Sequence, residues 1–183
     1  MIEITKYLQT VYEDLQRYVD NDVCLCKFKE LNFEAGALPD YEDINIQQLY
    51  LLRYAFAYAF EYSRMYLDVL SQMDGVNGIS VTSVGCGSMI DYWSLVHALE
   101  MKRKIDCSIR YVGIDKIDWS YKIPKRQNDE VHYLIGNAAD VFAHNSQFIS
   151  NVYFFPKSIS EFSDGELNAM ANSFSSKKIQ NID

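Results

Sequence analysis

The chain has 183 residues, 49% of them apolar and 23% charged, with a formal net charge of −8. That length supports one domain with a true core and a helical extension, and the composition excludes a disordered chain. Residues 1–78 carry −7 of the net charge, so the front of the chain is a poor grip for a phosphate backbone.

Ile4, Leu8, Val11, Tyr12 and Leu15 fall at helical spacing and predict a helix over residues 2–19. A polar stretch follows, ending in Gly36, Pro39 and the cluster Asp40-Tyr41-Glu42-Asp43, which reads as a loop. Asn45 is the expected cap of a second helix over 46–70. Arg53, Glu61, Arg64 and Asp68 interrupt its apolar run, which argues against a membrane span. Tyr50, Tyr54, Tyr58, Tyr62 and Tyr66 recur at every fourth position. Four residues turn a helix through about 400°, so this stripe winds slowly around the axis. With Leu52, Phe56, Phe60 and Leu67 at neighbouring angles, the helix is expected to be buried on most sides. Two uses of the stripe stay open: packing against the next domain, or delivery of Tyr58 or Arg53 to a ligand.

The turn cluster Asp74-Gly75-Val76-Asn77-Gly78 divides a helical region, 1–74, from an α/β domain, 79–183. Strands are predicted at 79–84, 109–114, 132–135 and 152–155, with helices at 90–101 and 164–174. This alternation implies a Rossmann-like parallel sheet covered by helices. Such sheets bind ligands at the carboxyl ends of the strands, near the reversal of strand order.

The chemistry sits at those ends. The first strand runs into Val84-Gly85-Cys86-Gly87-Ser88-Met89-Ile90-Asp91. Gly85 permits a tight turn, Gly87 lets a ligand approach the backbone, and the following helix amides suit a polar or anionic group. A dinucleotide fingerprint would need glycine at Ile90, and no phosphate-binding GxxxxGK[ST] is present. The second strand, Tyr111-Val112-Gly113-Ile114-Asp115, ends in a carboxylate that can accept both hydroxyls of a ribose. Trp119 either lies over an adenine ring or covers the sheet edge. Cys24, Cys26, Cys86 and Cys107 form no CxxC pair, so no metal site is expected. Free thiols and an N-terminus without a basic-then-apolar pattern suit a cytoplasmic protein. The basic groups Lys102-Arg103-Lys104 and Lys122, Lys125 and Arg126 read as solvated helix end and loop.

With Val84-Gly85-Cys86-Gly87-Ser88, Asp91 and Tyr111-Val112-Gly113-Ile114-Asp115 in place, the chain resembles the class I S-adenosylmethionine-dependent methyltransferases over roughly residues 79–160. The resemblance implies S-adenosylmethionine as cofactor. It places the methionine part along Gly85, Cys86, Gly87, Ser88 and Asp91, and the ribose at Asp115 and Lys116 near Trp119. Asn137 and Ala138, with Asp140, would flank the adenine. Phe155 and Pro156 would frame the methyl group, with Lys157 or Ser158 at the acceptor. The acceptor could be a nucleic acid, a protein or a small molecule, and no catalytic base is recognisable.

Two features depart from the family. Met89 stands where its third glycine is usual, and four strands are found where the family core has seven. An open fourth-strand edge invites a homodimer or a partner chain. Two other readings follow: a non-catalytic cofactor-binding or assembly subunit, or the N-terminal fragment of a larger methyltransferase. A different nucleotide-binding α/β protein, such as a reductase, is disfavoured by Ile90.

Overall fold

A computed structural model describes residues 3–18, 40–73, 77–144 and 150–179. The turn residues 74–76, Gly36, Pro39, Cys24 and Cys26 fall outside the described residues. In chain order the elements are α1 (Ile4–Tyr18), α2 (Ile44–Ser71), β1 (Gly78–Val84), α3 (Ile90–Met101) and β2 (Ser108–Asp115). They continue with β3 (Glu130–Ile135), α4 (Ala138–His144), β4 (Val152–Phe154) and α5 (Asp164–Ile179).

All strand pairs are parallel, in the order β3-β2-β1-β4. The chain moves outward from β1 to β3, then crosses back to place β4 on the other side of β1. The switch point therefore lies between β1 and β4, and a ligand crevice belongs above their carboxyl ends. The architecture is α/β and Rossmann-like, with an N-terminal helical region. Among the described residues β4 is an edge strand.

The side-chain alternation of the strands sorts the core into two layers. Ile79 and Val81 of β1 and Ile109 and Tyr111 of β2 pack beneath α1, α2 and α3. Val84, Val112 and Ile114 face the opposite side, against Phe142 of α4 and Met170 of α5. A sheet covered on both faces buries its central strands on both sides, and the carboxyl-terminal halves of β1 and β2 are buried almost throughout, Thr82 and Ser83 included. Edge strand β3 is more exposed, and its first two residues escaped the pattern that marks 132–135.

The second helix departs from expectation in two ways. Its N-cap is Asp43, whose Oδ1 accepts the Asn45 N–H at 2.8 Å; the cap thus lies two residues before Asn45. The helix is also one-sided, not buried all round. Tyr62 and Tyr66 are buried against Phe154 of β4, at ring-centroid distances of 5.2 and 4.9 Å, whereas Phe56 and Phe60 are 45% and 69% exposed. A stripe advancing four residues at a time winds slowly, so its C-terminal half meets the sheet and its N-terminal half meets the loops above. Burying each apolar ring contributes about 1.5–3 kcal/mol. The buried Tyr66 hydroxyl, which lacks a partner among the described residues, offsets much of that locally. No described helix is long and apolar enough to cross a membrane.

Candidate functional site

A cavity of about 340 Å³ opens at the carboxyl ends of the strands, within the size range of small-molecule sites. Its floor is the turn from β1 to α3. Gly85 and Gly87 take φ of +72° and +50°, a region that L side chains enter at a cost of roughly 1–2 kcal/mol. A Cβ on Gly85 would lie 2.4 Å from Cβ of Ser158, whose hydroxyl donates to the Val84 carbonyl. The β1 turn and the β4 loop are thus latched directly above the switch point.

Met89, where the third glycine of the resemblance would fall, has φ +67° and is buried, so its side chain packs in exchange for backbone strain. Gly113 of β2 also has a steric reason. A Cβ there would stand 2.7 Å from Sγ of Cys86, so the bare backbone lets the loop settle onto the second strand. Burial pushes the Cys86 thiol well up, with Asp115 and Asp91 adding to the effect, which keeps it protonated and unreactive.

Asp115 ends β2 beside this turn. Its Oδ2 accepts the Gly87 N–H at 2.7 Å, and its Oδ1 accepts the Ile117 N–H at 3.0 Å. Burial raises its carboxyl while these amide donors pull it back. Each oxygen retains a lone pair for a ligand hydroxyl. Lys116 also borders the cavity, 3.9 Å from Glu166.

The roof is aromatic. Trp119 is buried, and a Cβ on Gly87 would meet its ring at 3.4 Å. Tyr41 and Tyr50 lie 5.6 and 5.5 Å from Trp119 between ring centroids. Tyr58 continues the wall, stacked on Tyr54 at 5.5 Å, and Tyr62 follows at 5.7 Å. Desolvation raises the Tyr50, Tyr58 and Tyr62 hydroxyls, so the wall is neutral. Trp119 therefore belongs to a packed roof over the glycine turn.

The structure brings Tyr58, Gly85, Cys86, Gly87, Ser88 and Asp91 to one cavity, together with Asp115, Lys116, Trp119, Ala138 and Pro156. Four residues of the sequence reading do not border it, and one of them, Asp140, is exposed on the first turn of α4. Arg53 is exposed, its guanidinium 5.0 Å from the Tyr54 ring centre. Asn137 is engaged at α4, accepting the Ala139 N–H at 2.8 Å and donating to Glu166. Phe155 packs edge-on against Phe162. Tyr41, Glu161 and Phe162 border the cavity without any signal in the sequence. They come from loops and a single 3-10 turn, where no periodicity marks a shared face. No group of metal-binding side chains occurs among the described residues.

No protein-family model and no curated protein matches the chain. Among solved structures, MnmC2 from Aquifex aeolicus aligns with it at a TM-score of 0.48 and 12% identity, over 63% of this chain and 47% of that one. The chain thus spans about half the length of that protein. The strand order itself establishes the Rossmann-like fold.

Proposed function

We propose that the cavity binds S-adenosylmethionine and that the chain is a methyltransferase acting on an acceptor still to be identified. The observation that carries this reading is the hydrogen bond from the Gly87 amide to the Asp115 carboxylate. It joins the glycine turn of β1 to the acidic end of β2 at the floor of a cavity at the switch point.

The residues present fit the cofactor. Asp115 keeps lone pairs for ribose hydroxyls, and Ile117, Ala138 and Phe162 offer apolar surface for a purine. The bound cofactor supplies a methyl group already activated by its sulfonium, so the chain's task is alignment, not proton transfer. Pro156 and Lys157 border the same cavity after β4, on the side where an acceptor would enter. Lys157 is held by Glu61 and lies 5.6 Å from the Tyr58 ring centre, which fixes this rim.

Calorimetric titration with S-adenosylmethionine and S-adenosylhomocysteine tests the proposal, using the wild-type chain and Asp115→Ala. Saturable binding that the substitution abolishes, with the melting transition retained, is the expected result. A folded wild-type chain that binds neither compound would overturn it. A second reading, an assembly subunit, is favoured by the open edge of β4, and sedimentation of a monodisperse monomer would remove it.

A further inference from the structure

Three separate loops border one end of the cavity: Lys116 follows β2, Ala138 follows β3, and Phe162 lies beyond β4. One side chain that does not border the cavity reaches all three. It is Glu166, in the first turn of α5.

Its two oxygens have different partners. Oε2 accepts the Ser163 N–H at 2.9 Å and the Ser163 hydroxyl at 2.8 Å, and the Glu166 N–H reaches that hydroxyl at 3.3 Å. Ser163-Asp164-Gly165-Glu166 is therefore a capping box, and starting the helix accounts for this oxygen. Oε1 is not needed for the cap. It accepts Nδ2 of Asn137 at 2.8 Å and lies 3.9 Å from the Lys116 ammonium. Asn137 accepts the Ala139 N–H through Oδ1, so its amide satisfies both neighbours in one orientation only. The Lys116 ammonium stands 5.9 Å from the ring centre of Phe162, the residue before Ser163. The Asn137 amide, then the Ser163 donors and Lys116, hold the Glu166 carboxyl down at about 2. The side chain is thus ionised throughout the neutral range.

We propose that Glu166 is a positioning residue whose Oε1 gathers the loops after β2, β3 and β4 and sets the walls of the cavity's nucleoside end. This rests on the S-adenosylmethionine reading, in which Ile117, Ala138 and Phe162 face the purine. A wall that retreats by about 0.5–1 Å forfeits a quarter to a half of its dispersion contact with the ring. Glu166 therefore governs affinity without touching the ligand.

The test is calorimetry with S-adenosylhomocysteine and with 5′-methylthioadenosine, which shares the nucleoside but lacks the amino-acid part. It uses the wild-type chain, Glu166→Gln, Asn137→Asp, their double variant and Ser163→Ala, each with its melting temperature. Glu166→Gln leaves one oxygen for the Ser163 and Asn137 donors, and Asn137→Asp sets two carboxylates against each other. Each should weaken both ligands by about fivefold, the scale of one net hydrogen bond. The double variant reverses donor and acceptor: the new amide donates to the new carboxylate, and the remaining oxygen still accepts the Ser163 N–H. Its affinities should return to within about twofold of the wild type, a coupling that independent sites do not show. Ser163→Ala should lower the melting temperature and leave both affinities unchanged.

Single variants that bind like the wild type would overturn the positioning role and leave the cofactor reading standing. So would a loss that the double variant does not recover, a loss for S-adenosylhomocysteine alone, or affinities that follow the melting temperature through Ser163→Ala. A folded wild-type chain that binds neither ligand would overturn both.

Discussion

Gly85→Ala is the substitution that separates the steric from the conformational demands of the β1 turn. At φ +72° an added Cβ costs roughly 1–2 kcal/mol from the left-handed backbone alone. It would also stand 2.4 Å from Cβ and 2.8 Å from Oγ of Ser158, far inside van der Waals contact, so the β4 loop must shift. Overpacking of this kind adds about 1–3 kcal/mol, for a total of roughly 2–5 kcal/mol. In a chain of this size that lowers the melting temperature by roughly 5–15 °C. Gly87→Ala carries the same backbone strain, yet its Cβ meets only the Trp119 ring at 3.4 Å, an ordinary contact. Its loss should stop at about 1–2 kcal/mol. Adding Ser158→Gly to Gly85→Ala removes both clashing atoms and should restore the difference, whereas Ser158→Ala keeps the offending Cβ and should not. Urea denaturation of the four variants and the two Ser158 single variants closes the cycle. Equal losses for the two alanines, or no recovery with Ser158→Gly, would refute the latch between the two loops.

Two further outcomes concern buried charge. Asp129 is buried and receives the Arg126 guanidinium on both oxygens, at 2.8 and 2.9 Å, plus the Tyr92 hydroxyl. Asp129→Ala leaves the partly exposed guanidinium only the Ile105 and Cys107 carbonyls and should cost about 1.5–3 kcal/mol with little salt dependence. Breaking the exposed Arg110–Glu130 pair should leave stability almost unchanged, and comparable losses would contradict the burial argument. The second outcome is a pH dependence. Because Asp91 titrates higher folded (about 6) than unfolded (3.8), its contribution is most favourable below the unfolded value and is lost as pH rises through the folded one. Stability of Asp91→Asn relative to wild type should therefore rise by about 2 kcal/mol between pH 4.5 and 7.5, read by urea denaturation at both. A constant gap would show that Asp91 titrates normally.

Much of the site was legible in the residues because its signals are local. The turn Gly85-Cys86-Gly87 and Asp115 are each marked by their strand ends, and parallel neighbours bring strand ends together whatever the rest of the chain does. The four strands, α3 and the start of α5 were legible for the same reason: short β-branched or aromatic segments and helical spacing, each bounded by turn residues, are local signals. Seven-residue α4 lacked the length to show a period, and the cap at Asp43 was hidden among several residues able to cap.

What the sequence by itself determined is the α/β alternation, the glycine turn and the acidic strand end, all set by backbone sterics and short-range pattern. Only tertiary structure decided which face of α2 is wet, since a slowly winding tyrosine stripe has no preferred side until β4 supplies Phe154. It also decided that Arg126 neutralises a buried Asp129 in place of standing with Lys122 and Lys125 in solvent. Finally, it placed Tyr41, Glu161 and Asp91 on one cavity. Contacts between residues far apart in the chain follow from packing and desolvation, and no spacing rule encodes them.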